Sequence, residues 1–182
     1  MHYCSLDLET TSLNPWIGQI LEIGAIIDDL QDSRPLDTLP TYHKYLLEED
    51  NRIKGEIFAL SMNTDTILAM RDAIGTDMVI SPKELAESFG KWLDENNIEK
   101  VVFAGKNFGM FDSKFLDMIY DWKDINASHR ALDVGSMYVT KDDKDVPNLS
   151  TCLERAGLPS VVTHHAVEDA MQVVRLIRHK LL

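Results

Sequence analysis

Basic charge is what this sequence has least of. Its 182 residues include 18 Lys and Arg against 30 Asp and Glu, a formal net charge of −12. A chain that grips long duplex nucleic acid by its phosphates presents a basic face. The average charge of this chain speaks against that mode of binding, and against nucleic acid altogether unless it is taken up locally. Uptake of a short or single-stranded piece into a local site is not excluded, because bound cations there offset the repulsion. Cysteine is also scarce. Cys4 and Cys152 are the two, both in apolar surroundings and without CxxC or Cys/His spacing. This excludes a disulfide framework and a thiolate zinc site, and it reads as two buried thiols in a reducing compartment. No apolar run approaches the roughly 20 residues that cross a bilayer. No basic-then-apolar segment resembles a signal peptide. A cytoplasmic location without a membrane partner is the expectation. Repeats, low-complexity tracts and linkers are missing too. With 45% hydrophobic residues, one domain with a sizeable core is expected.

Apolar runs of strand length open the chain. Cys4 to Thr11 reads as a buried strand, Gln19 to Asp28 as a second and Thr41 to Leu47 as a third. Short connections make these an antiparallel meander. The loop between the first two, Thr11 to Gly18, holds Pro15 and Trp16; Trp16 is expected to pack on its own strand rather than stack on a base. Ile53 to Ile74 reads as helical with a break near Asn63. Ser81-Pro82-Lys83-Glu84 is a capping box with Pro at the first helical position, and it leads into the stripe Leu85, Phe89, Trp92, Leu93. Val101 to Ala104 and Ala131 to Val134 read as two later strands. Helices follow from about Phe111, over Asn148 to Ala156, and over His165 to Lys180. The expected fold class is α/β, a mixed five-stranded sheet with helices on both faces.

Four carboxylates stand out against this pattern. Asp7 and Glu9 fall on one face of the first strand, with Leu6 and Leu8 on the other. Two like charges so placed are either solvated at an exposed edge or held by a cation. Asp112 sits beside the apolar face at a helix start, where a structural first-turn carboxylate is equally at home. Asp169 lies on the edge of the last helix's buried stripe, where an unpaired acid is costly. His164 precedes it by five residues. Hard cations prefer oxygen donors, and two of them about 3.5–4 Å apart can clamp a phosphodiester while a histidine takes a proton from water.

The segments Asp7-Leu8-Glu9-Thr10-Thr11, Asn107 with Phe111-Asp112, and His164-His165-Ala166-Val167-Glu168-Asp169 resemble, in order, the three motifs of the DEDDh branch of the DEDD 3′→5′ exonucleases. Ile20-Leu21-Glu22-Ile23-Gly24-Ala25 resembles that family's second strand. The match runs over nearly the whole chain. The resemblance implies a ribonuclease H-like fold, a single exonuclease domain over 1–182, and release of nucleoside 5′-monophosphates from a 3′ end. It implies two divalent metal ions, Mg or Mn, on Asp7, Glu9, Asp112 and Asp169, with His164 as general base. Thr10 and Thr11 would hold the 3′-terminal nucleotide, Leu13 would wedge beside its base, and Asn107 would contact the substrate backbone or order the site. Lys106 stands where many members carry a His.

His129-Arg130-Ala131-Leu132-Asp133 imitates the third motif but is one residue short, and it reads as a decoy. The expected partners are single-stranded DNA or RNA, down to very short oligonucleotides, with a homodimer left open. The alternatives are a nucleic-acid-binding or polymerase-associated module with the same fold, and a small-nucleotide phosphohydrolase.

Overall fold

The computed structural model describes residues 1–32, 34–160 and 163–182. Its sheet is built on the strand β1 (His2–Thr10), which pairs antiparallel with β2 (Ile20–Asp29) and parallel with β5 (Phe103–Gly105). β3 (Thr41–Leu46) continues the antiparallel meander beyond β2. Two short edge strands, β4 (Val79–Ile80) and β6 (Leu132–Asp133), complete the order β4-β3-β2-β1-β5-β6. The sheet thus has six strands where the sequence predicts five. The added strand, β4, is only two residues long; it carries no alternation and is defined by pairing with Tyr45 and Leu46.

Helices α1 (Ile57–Met62) and α2 (Thr64–Ala73) are separated at Asn63, as the broken stripe predicts. α3 (Leu85–Glu95) follows a 3-10 turn whose capping box is formed, Ser81 N–H donating to Glu84 Oε2 at 2.7 Å. The remaining helices are α4 (Asp112–Leu116), α5 (Val134–Met137), α6 (Leu149–Arg155) and α7 (Ala166–Leu181). The alternation of β1 decides which helix meets which face. Cys4, Leu6 and Leu8 share a core with Leu85, Phe89 and Leu93 of α3 and with Phe115 and Leu116 of α4. Tyr3 shares a second core with Val173, Val174 and Ile177 of α7. Helices therefore cover both faces, and Asp7 and Glu9 belong to the pleat that faces α7. Cys4 and Cys152 are free thiols, both buried.

α7 is tied to the sheet by polar contacts along its length. Ser5 Oγ donates to the Ala170 carbonyl at 2.8 Å, and Arg178 grips Asp28 through two bonds of 2.9 and 2.6 Å. Near its start the helix lies so close to β2 that a Cβ on Gly24 would meet Val167 N at 2.2 Å and the Ala166 carbonyl carbon at 2.3 Å. Both obstacles are backbone, so α7 itself would have to retreat. Gly24→Ala is expected to destabilise the fold by about 2 kcal/mol or more, read as a lowered urea midpoint at unchanged slope.

Candidate active site

The end of β1 opens into a cleft of about 570 Å³ whose lining includes the polar side chains Asp7, Glu9, His164 and Asp169 and the apolar ones Leu13, Phe58, Ala59 and Met62. Glu9, His164 and Asp169 each offer a donor atom within 4.8 Å of one another. Asp112 is buried beneath, 3% exposed, close enough to Asp7 for their charges to repel. The structure thus brings all five chemistry-bearing residues of the sequence motifs together. β1 supplies two, the first turn of α4 one, and the start of α7 the other two. His164 reaches the cleft through a left-handed backbone, φ +54°, a conformation rare outside glycine and one that clusters at functional sites.

The electrostatics of this arrangement are unfavourable without a cation. Burial holds the Asp7 carboxyl well above its ordinary range, and the charges of Asp112, Glu9, Asp169 and Glu22 add to it. Glu9 is pushed up to about 8 by burial, then by Glu22, Asp169 and Asp112. Burial raises Asp112 to about 7, against hydrogen bonds with its own backbone and that of Leu8. Asp169 is raised by burial as well, although the Thr163 N–H donates to its Oδ1 at 3.4 Å. Among the described residues that line the cleft, Lys106 is the one Lys or Arg. Clustered oxygen donors with one imidazole, and no thiol, suit a hard divalent ion.

The remaining residues singled out in the sequence fall in different places. Thr10 lines the cleft, and its hydroxyl donates to the Ser12 carbonyl at 2.9 Å. Leu13 stands at the rim, 84% exposed. Thr11 does not reach the cleft. It is fully buried, with its hydroxyl donating to the Lys54 carbonyl at 2.6 Å and accepting from Gln19 N–H at 2.9 Å, so it locks the loop. Asn107 lies in an adjoining hollow of about 530 Å³, and Lys106 borders both spaces. Asn107 is also left-handed, φ +64°, and its N–H donates to Asp133 Oδ2 at 2.6 Å. Asp133 caps α5 through Ser136 N–H at 2.7 Å, which fits the decoy reading of its segment. Trp16 does not pack on its strand; the loop carries it outward, 78% exposed.

Sequence reasoning missed the part of the lining that comes from α1. Phe58 is 77% exposed and Met62 47%, an apolar face that α1 leaves unburied. Asn63, at the α1–α2 break, is buried and donates to the Thr10 carbonyl at 3.2 Å and the Ala59 carbonyl at 3.1 Å. Its Oδ1 has no partner among the described residues. The available signal was Ile57, Phe58 and Met62 crowding a helix of six residues, too many apolar side chains for one buried stripe.

A mixed sheet of this order, with carboxylates and a histidine gathered at the end of its central strand, is the ribonuclease H-like arrangement of a nuclease. The family model described as RNase_T, exonuclease, matches residues 4–177. The chain belongs to that exonuclease family. Solved structures with the same fold include exonuclease I (TM-score 0.69, 14% identity, covering 98% of this chain and 40% of that one). They also include E. coli exonuclease I in complex with a 5cy-dT13 oligonucleotide (0.65, 15%, 98% and 39%). A third is the zinc-bound form of the E. coli enzyme with single-stranded DNA (0.66, 14%, 97% and 39%). The chain spans about two fifths of the length of these proteins. No curated protein matches the sequence. Among the described residues, no helix is long and apolar enough to cross a membrane.

Proposed function

We propose that this exonuclease is a metal-dependent 3′→5′ enzyme of the DEDDh type. It acts as one domain over 1–182 on single-stranded nucleic acid or short oligonucleotides and releases nucleoside 5′-monophosphates. The observation that carries the reading is the convergence of Glu9, His164 and Asp169, with Asp7 and Asp112 beside them, in a cleft that also has exposed apolar side chains in its lining. The polarity is taken from the DEDDh motifs. The single-strand preference is supported by the acidic surface, which disfavours duplex binding, and by the oligonucleotides bound to the E. coli relative.

Asp7, Glu9, Asp112 and Asp169 would hold two Mg²⁺ or Mn²⁺ ions. When bound, such ions supply Lewis-acid activation of water and neutralise charge on the phosphodiester. His164, exposed in the cleft, accepts the proton of the attacking water, a task suited to imidazole near neutral pH. Leu13, Phe58 and Met62 take the terminal base between apolar surfaces, and Lys106 meets the phosphate of the strand leaving toward the adjoining hollow. Thr10 orders the sugar end of that nucleotide.

The test compares DNA and RNA oligomers of matched sequence, from two to about thirty nucleotides, labelled at either end, with Mn²⁺ and with EDTA. Mononucleotide release from the 3′ end that EDTA stops is the expected result. Product that persists in EDTA, or a ladder running from the 5′ end, would overturn the reading. Faster turnover of a mononucleotide ester than of a trinucleotide would favour a small-nucleotide phosphohydrolase. Phe58→Ala is expected to raise KM for a 3′ end about tenfold with a smaller change in kcat, since base stacking contributes about 1–3 kcal/mol. Steady-state kinetics on one oligomer checks this.

A further inference from the structure

Glu22 is a buried acid beside the site that the proposed chemistry does not use. It is buried on β2, 1% exposed, directly across the sheet from Glu9 in the pairing register. Its charge makes the crowding worse, since it is the first neighbour after burial itself to push Glu9 upward. A carboxylate kept in such a place has work to do elsewhere. One oxygen, Oε1, lies 2.7 Å from His43 Nε2 on the next strand. The other, Oε2, accepts from Ala166 N–H at 3.3 Å.

Ala166 is the first residue of α7, and its N–H is one of the four first-turn donors that a helix cannot satisfy internally. The residue at the usual capping position, His165, makes no side-chain cap. Glu22 therefore caps the helix from β2, and it puts a negative group at the positive end of the helix dipole. Gly24, on the same face of β2, admits the Ala166–Val167 backbone. Ala166 stands two residues after His164 and three before Asp169, so a shift of its N–H moves both. His164 has no hydrogen bond from its own ring among the described residues to hold it otherwise.

We infer that Glu22 is a positioning residue. By accepting from Ala166 N–H, it sets the start of α7 and so the placement of His164 and Asp169 against Asp7 and Glu9. His43 holds the opposite oxygen of Glu22, which keeps Oε2 turned toward the helix. The kinetic arm of the test rests on the exonuclease reading; the exchange arm does not.

Two neutral variants separate the acceptor from the charge. Glu22→Gln keeps an oxygen for Ala166 N–H and can donate to His43 Nε2. Glu22→Leu fills the space with no acceptor. Relative to wild type, Glu22→Leu is expected to lose about 10- to 100-fold in kcat with KM within about threefold, and Glu22→Gln to stay within about threefold in both. Hydrogen–deuterium exchange in EDTA should show the amides of residues 166–169 exchanging at least about tenfold faster in Glu22→Leu than in wild type, with Glu22→Gln near wild type. If Glu22→Leu does not fold, Glu22→Ala takes its place with the same expectation. Equal losses in the Gln and Leu variants would make charge the role and overturn the inference. Unchanged exchange in the Leu variant would overturn it as well. If wild type itself shows no metal-dependent turnover, the exonuclease reading fails and the exchange result alone decides for or against the positioning role of Glu22.

Discussion

Asp7→Asn is expected to lower turnover by about 1000-fold or more and, at the same time, to raise the melting temperature of the metal-free protein at pH 8. Both results have one cause. Asp7 lies among Asp112, Glu9, Asp169 and Glu22, and burial and these charges disfavour its ionised form. Removing the charge relieves the fold. It also removes an oxygen donor from the proposed metal cluster, and Lewis-acid stabilisation of several kcal/mol goes with it. His164→Ala is expected to separate these effects. Its turnover should fall about 100- to 10,000-fold, while Mn²⁺ still raises the melting temperature, because the four carboxylates remain. His165→Ala should stay within about threefold of wild type. Full activity in His164→Ala together with loss in His165→Ala would move the base to the neighbouring residue.

The second large effect is on stability against pH. Glu9 and Asp112 are pushed up to about 8 and about 7 from ordinary values of 4.5 and 3.8, and Asp7 and Asp169 are raised as well. The folded protein therefore binds more protons than the unfolded chain across this range, so stability falls as pH rises. The stabilisation is fully present below about pH 4 and is lost on the way to about pH 8. Asp28, whose burial is outweighed by hydrogen bonds from Arg178 and Tyr3, and Asp143, held low by Arg155, act in the opposite direction. They do so only below the ordinary carboxylate range and do not offset the loss above it. In EDTA, the melting temperature is expected to drop by about 5–10 °C between pH 5 and pH 8. Mn²⁺ should restore more at pH 8 than at pH 5, since its ligands must be deprotonated to bind. A melting temperature in EDTA that is flat or rising over this interval would contradict the electrostatic account.

The sequence carried the fold wherever side chains alternate or recur. β1 was legible from its alternation, β2 from its mostly apolar run and β3 from the strand formers Tyr42 and Tyr45. The Ser81–Glu84 box was legible because capping chemistry is local. β4 was not, because two residues have no period, and its identity comes from a partner strand far away in the chain. The candidate cluster was legible through spacing, since Asp7 and Glu9 share a strand face and His164 and Asp169 stand at a helix start. The rest of the cleft lining was less so. Thr11 looks like Thr10 in sequence, but it turns inward to hold Lys54 and Gln19. Phe58 and Met62 stay exposed because α1 sits at the cleft rather than over the core. Glu22 read only as part of a strand, because its partner N–H belongs to a helix at the other end of the chain.

That distance has a consequence for biosynthesis. β1 and its two acids leave the ribosome well before α7 and the turn that precedes it, which bring His164 and Asp169. Until α7 docks, the nascent chain holds only part of its donor set and lacks its histidine. On the proposed mechanism, a chain halted before residue 164 keeps Asp7, Glu9 and Asp112 but has no base and an incomplete donor set, and it is expected to cleave no nucleic acid.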